Sequence, residues 1–184
     1  MRKVIAAINM TLDGFCDHTV MMADDQIHEH YTELLSKAGG IIYGRITYQL
    51  MESYWPGVVK NPTGNKPTDE FAASIENIPK IVFSRTLKNV EWKNVQLAKG
   101  SLKEEVLQLK QQPGKDIFVG SPSLILALTE LKLIDEYQLC IHPVIVGKGL
   151  PLFKDINDQA TLTLLHTKSF SDGQIILYYE PRKE

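Results

Sequence analysis

The chain has 184 residues, 43% hydrophobic and 23% charged, which suits one globular domain around a single core. A formal net charge of -2 leaves no basic footprint for nucleic acid or an anionic membrane surface, so any anion binding has to be local. Cys16 and Cys140 stand far apart without a Cys-x-x-Cys pair, which argues against a disulfide framework or a structural zinc site and fits reduced thiols in the cytoplasm.

Val4-Ile5-Ala6-Ala7-Ile8 is nearly continuous apolar sequence and predicts a mid-sheet strand covered on both faces. Asp13-Gly14 turns the chain into a polar segment, and a helix begins at Asp24 or Asp25, with Ile27, Tyr31, Leu34 and Leu35 on one face and Gly39-Gly40 at its end. Ile41 to Tyr43 predicts a second strand. Gly44-Arg45-Ile46-Thr47 then opens a helix reaching about Glu52, and the Pro- and Gly-bearing stretch from Tyr54 to Pro67 predicts a long surface connection in which Trp55 either walls a pocket or packs over a helix end. A short helix from Thr68 or Asp69 to about Asn77 leads to a third strand, Lys80 to Phe83, which exits through Ser84-Arg85-Thr86.

A weaker strand at Val95 to Leu97 precedes a capping box, Ser101-x-x-Glu104, and a helix that Pro113-Gly114 stops. Asp116 to Val119 is again a short strand, and Gly120-Ser121-Pro122-Ser123 starts the next helix with a serine suited to capping and a proline suited to the first helical position. Beyond Lys132 come a strand at Asp135 to Ile141, a glycine-bearing bend at Pro143 to Leu150, and two strands, Thr161 to Thr167 and Gln174 to Tyr179, around the Ser171-Asp172-Gly173 turn. No apolar run is long enough to cross a bilayer.

Strands alternating with helices imply a mostly parallel sheet whose strand carboxyl ends share one rim, the place where ligands bind in such folds. Three of those exits carry Gly44-Arg45-x-Thr47, Ser84-Arg85-Thr86 and Gly120-Ser121-Pro122-Ser123. Backbone N–H groups at a helix start, hydroxyls and two guanidinium forks fit a polyphosphate, and two arginines fit a dinucleotide with an additional phosphate, hence NADPH. Neither G-x-G-x-x-G nor a P-loop pattern is present. His28-Glu29-His30 lacks metal-ligand spacing, so no metal is expected, and His142 and His166 stand isolated in sequence, which assigns them to packing.

Met10-Thr11-Leu12-Asp13-Gly14-Phe15, Tyr43-Gly44-Arg45-Ile46-Thr47-Tyr48, Ile81 to Arg85 and the block from Ile117 through Phe153 resemble the dihydrofolate reductase-like superfamily. The resemblance is specifically to the carboxyl-terminal domain of the bifunctional riboflavin-biosynthesis deaminase/reductase. It covers nearly the whole chain, residues 1–184 forming one reductase-like domain with no deaminase zinc motif ahead of it. The resemblance implies a three-layer α/β fold, a mostly parallel central sheet with carboxyl-terminal antiparallel strands, and a homodimer. It further implies hydride transfer from NADPH to a small pyrimidine- or pteridine-like heterocycle. A non-catalytic NADP(H)-binding or sensor protein of the same fold is the alternative.

By the same resemblance, Gly44, Arg45 and Thr47 hold the adenine-side phosphate, Ser84 and Arg85 meet the ribose phosphate, and Gly120, Ser121, Pro122 and Ser123 cradle the pyrophosphate. Backbone near Ala7 and at Val146-Gly147 borders the nicotinamide. Ser121 departs from the family pattern, which usually has a second glycine there. The proton donor is expected at Asp13 or Asp25, with Asp24 and Glu29 behind them.

Overall fold

The computed structural model describes residues 1–21 and 24–182. Eight strands form one sheet in the order β4-β3-β2-β5-β1-β6-β8-β7. They are β1 (Val4–Thr11), β2 (Ala38–Gly44), β3 (Lys80–Phe83), β4 (Val95–Leu97), β5 (Asp116–Val119), β6 (Glu136–His142), β7 (Leu162–Ser169) and β8 (Ile175–Pro181). From β4 to β6 every neighbour is parallel, while β8 runs antiparallel to both β6 and β7. The apolar run at Val4 to Ile8 lies mid-sheet as expected, paired with β5 on one side and β6 on the other.

Strand alternation divides the core in two. Val4, Ala6, Ile8 and Met10 pack on one side with Val106, Ile125 and Leu128 from α4 (Leu102–Gln111) and α5 (Pro122–Glu130). Ile5 and Ala7 face the other side, beneath α1 (Asp25–Lys37), α2 (Arg45–Lys60) and α3 (Lys66–Asn77). The result is three layers, and the carboxyl ends of β1, β2, β3, β5 and β6 meet on one rim.

Several boundaries differ from the sequence expectation. α2 does not stop near Glu52 but continues through Pro56 to Lys60, so the expected loop from Tyr54 shrinks to the few residues before Asn65. Burial explains this: Val58 is buried, and Trp55 packs edge-on against Phe71 with ring centroids 4.6 Å apart, offsetting the hydrogen bond that proline removes. α3 starts earlier, because Asn65 accepts the Thr68 N–H and caps the helix ahead of Pro67.

Gly39-Gly40 does not simply end α1 but belongs to β2, where the register with β5 shifts between Ala38 and Gly40. A Cβ at Gly39 would lie 2.7 Å from the Lys115 carbonyl oxygen, so glycine permits this close approach of backbone. On the far side of the sheet, Lys80 is fully buried and its Nζ donates to the carbonyls of Glu76 (3.1 Å), Ile78 (3.0 Å) and Lys93 (3.2 Å).

Candidate active site at the rim of the sheet

The first half of the rim is built from adjacent strand exits. Gly44, Arg45, Ile46 and Thr47 after β2, Phe83, Ser84, Arg85 and Thr86 after β3, and Ser123 and Leu124 in α5 line one open cavity of about 280 Å³. Arg45 and Arg85 are both exposed there, and Arg45 Nη1 donates to Gln49 Oε1 at 3.0 Å, which leans the guanidinium along its own helix. Ser84 Oγ accepts the N–H groups of Thr86 and Leu87 at 3.1 and 2.9 Å, fixing the turn that presents Arg85.

Gly44 allows close packing, since a Cβ there would stand 3.4 Å from Ser123 Oγ and 3.8 Å from Ser121 Cβ. Gly120 sits beside β1: its own Cβ position is 3.7 Å from the Ala7 carbonyl oxygen. Pro122 occupies the start of α5 as expected. Ser121, however, does not cap that helix. Its hydroxyl accepts the Gly44 N–H at 2.8 Å and is fully buried, so it ties the exits of β2 and β5 together.

The second half of the rim lies beyond β1. Asp13 Oδ1 accepts the Thr11 hydroxyl at 2.6 Å, and Asp13 Oδ2 accepts Val146 N–H at 3.2 Å and Gly147 N–H at 2.7 Å. The Thr11 hydroxyl first, joined by the Gly147 and Val146 amides, holds this carboxyl below its ordinary value of 3.8, with desolvation opposing them. Asp13 is therefore an ionised clamp joining the turn after β1 to the bend after β6, a poor proton donor. Val146 and Gly147 present their N–H groups to that clamp and do not line the cavity that holds the arginines.

Asp25 is exposed, accepts Asn65 Nδ2 at 2.9 Å, and so braces α1 against the start of α3. Asp24 differs from both in its hydrogen bonding. As the cap of α1 it accepts the Ile27 N–H at 2.8 Å through Oδ1, while Oδ2 is buried with no hydrogen-bond partner among the described residues.

Asp24 faces polar groups that sequence separation had hidden. His142 is buried at the end of β6, with Nε2 3.1 Å from Asn9 Oδ1 and 3.8 Å from Cys140 Sγ. Burial lowers the His142 pKa and the Asp24 charge acts to raise it; burial lifts the Cys140 thiol to about 12, with Asp24 adding in the same direction. His142 is thus not an isolated packing residue. The signal in the sequence is alternation: Asn9-x-Thr11 and Cys140-x-His142 put polar side chains on the α1 face at the ends of two otherwise apolar strands.

Aromatic residues close the far side under the helices. His28 stacks on Phe71 with centroids 5.6 Å apart, meets Trp55 edge-on at 5.9 Å, and lies 3.1 Å from Thr68 Oγ1 through Nδ1. Trp55 therefore packs across the three helices. No cluster of three metal-ligating side chains occurs among the described residues.

Residues 2–176 match the family described as the RibD C-terminal domain. The chain belongs to that family. YyaP, an uncharacterised protein of Bacillus subtilis (strain 168), is 34% identical over 182 residues, spanning 97% of this chain and 94% of its own. Among solved structures, a pyrimidine reductase-like protein from Corynebacterium diphtheriae superposes with a TM-score of 0.69 at 17% identity, over 100% of this chain and 93% of that one. Dihydrofolate reductase from Enterococcus faecalis, solved with NADP(H), gives a TM-score of 0.64 at 12% identity over 98% and 97% of the two chains. The fold of this RibD C-terminal domain is dihydrofolate reductase-like, as the resemblance implied.

Proposed function

We propose that the protein is an NADPH-dependent reductase of a small pyrimidine- or pteridine-like heterocycle. The observation that carries this reading is one cavity joining Gly44, Arg45 and Thr47 to Ser84, Arg85, Thr86 and Ser123, where two exposed guanidinium groups and four hydroxyl side chains surround space for a phosphorylated ribose. These residues fit the cofactor: arginine forks match phosphate oxygens, and Gly44 keeps the wall between them free of a side chain. Gly120 and Ala7, adjacent at the ends of β5 and β1, continue the path toward the nicotinamide end.

When bound, NADPH supplies the hydride. Asp24 replaces Asp13 and Asp25 as the group assigned to the substrate's proton, because its Oδ2 is buried and unpartnered while the other two carboxylates are engaged in structural contacts. Asn9 and His142 fix the polar floor beside it. Asp24 itself is half-buried, with its Oδ2 shielded from solvent. A homodimer remains part of the proposal, checked by sedimentation.

Fluorescence titration with NADPH tests the cofactor reading. Arg45→Ala and Arg85→Ala should each weaken NADPH binding about tenfold, with less effect on NADH at Arg85, as expected for loss of one charge-assisted contact. Unchanged affinity in both variants would sink the proposal. Tight NADPH binding with no cofactor oxidation across a panel of pyrimidines and pterins would select the non-catalytic sensor instead.

A further inference from the structure

A second cavity, of about 270 Å³, shares no residue with the arginine-lined one. Gln26, Glu29, His30 and Glu33 of α1 form one wall, and Lys168 near the end of β7 with Phe170 in the turn after it form the other. Helix geometry explains how α1 reaches it, because these four positions follow the i, i+3, i+4, i+7 spacing of a single face. His28 projects at a different angle and packs instead on Phe71 and Trp55. The Ser171 N–H donates to Gln26 Oε1 at 3.2 Å, which fastens the β7–β8 turn to the first turn of α1 and holds the two walls together.

This cavity holds charges of both signs that do not pair with each other. His30 is only 8% exposed, and burial together with the nearby Lys168 charge lowers its pKa to about 4. The imidazole is therefore neutral at neutral pH, and its Nδ1 accepts from Lys168 Nζ at 3.2 Å. The same ammonium lies 5.1 Å from the centre of the Phe170 ring. Two uncharged partners thus fix Lys168 at the wall, and it forms no ion pair among the described residues. An ammonium carries three N–H groups, so it keeps donors to spare. Gln26 is alike in this respect: Ser171 takes its Oε1, which leaves the amide N–H groups to donate elsewhere. On the helix wall Glu33 pairs with Lys37, whereas Glu29 forms no ion pair among the described residues.

We propose that this cavity is a second ligand site, which takes a free amino acid with an apolar side chain. The ligand carboxylate accepts from the Lys168 ammonium and the Gln26 amide, the ligand ammonium donates to Glu29, and the side chain lies on the Phe170 ring. A zwitterion is what the lining selects. A bare carboxylate or phosphate would face two glutamates, and a bare amine would face Lys168, so each half alone meets repulsion that the whole molecule offsets. The volume falls below the range of about 300–1,000 Å³ typical of drug-sized pockets, which restricts the ligand to one small molecule. His30 matters because it holds the Lys168 ammonium in place before any ligand arrives, which lowers the ordering cost of binding. The inference goes beyond the reductase reading and does not depend on it.

Nuclear magnetic resonance titration of the whole chain tests this with L-phenylalanine, with phenylacetate, which lacks the ammonium, and with phenethylamine, which lacks the carboxylate. L-Phenylalanine should shift the amide signals of Gln26 to Glu33 and of Lys168 to Phe170 saturably, with a Kd of about 1 mM or below, and each half-ligand should bind at least about tenfold more weakly for want of one charge-assisted contact. Lys168→Met and Glu29→Gln alter exposed side chains, so both variants should keep the wild-type melting temperature and NADPH affinity while binding L-phenylalanine about tenfold more weakly. The inference is overturned if L-phenylalanine gives no saturable shift up to about 20 mM, if the shifts fall on the arginine-lined cavity instead, if either half-ligand binds as tightly as the zwitterion, or if either folded variant keeps the wild-type affinity.

Discussion

Ser121 shows how one side chain changes meaning between sequence and structure. Its place before Pro122 identifies a helix start, but the hydroxyl turns sideways and takes the Gly44 N–H at 2.8 Å, a contact 77 residues away that no local pattern encodes. Ser121→Ala leaves that amide buried without an acceptor and should cost about 1–2 kcal/mol in chemical denaturation. Asp13 gives a pH-dependent counterpart. Its carboxyl is held below the ordinary 3.8, chiefly by the Thr11 hydroxyl, so the clamp stabilises the folded chain above that value and is lost as pH falls through the lowered one. The melting temperature of Asp13→Asn should therefore lie below wild type at neutral pH, and the gap should close as both are acidified below roughly pH 4. Asp13 was legible in the sequence as a turn residue but not as a clamp, because its partners Val146 and Gly147 lie across the rim.

At the level of elements, β1, β5 and the start of α5 were readable because apolar runs and cap chemistry are local signals. α2 was misread for the opposite reason. Pro56 is a local breaker, whereas the burial of Val58 and the packing of Trp55 on Phe71 that carry the helix onward are tertiary. The same holds for Gly39-Gly40, which reads as a helix stop but supplies the irregular first pairs of β2. Gly39→Ala should destabilise the chain by about 1–3 kcal/mol, because the new methyl meets backbone at Lys115 that has no room to retreat. Thermal melts check this, and a melting temperature equal to wild type would mean that β2 and β5 separate at no cost. The candidate site divides along the same line. The arginine and glycine exits are contiguous motifs, while Asp24, His142 and Asn9 come from three segments that only the fold brings together.

Across the whole molecule, the sheet places its arginine-lined cavity near one edge and the polar cluster of Asn9 and His142 toward the other, on either side of β1. Ser84 and Arg85 hang from β3, whose only outer neighbour is the three-residue β4. That edge is held by the ammonium of Lys80, enclosed by the carbonyls of Glu76, Ile78 and Lys93 and lying 4.3 Å from the Trp92 ring. An amine at zero exposure cannot meet an acylating reagent while β3 is in place, so its chemical reactivity becomes a clock for opening of this edge. Mass spectrometry after timed acetylation should find Lys93 and the other exposed lysines modified early and Lys80 last. Saturating NADPH, by holding Ser84 and Arg85, should slow the Lys80 clock further while leaving the exposed lysines far from the cavity unaffected.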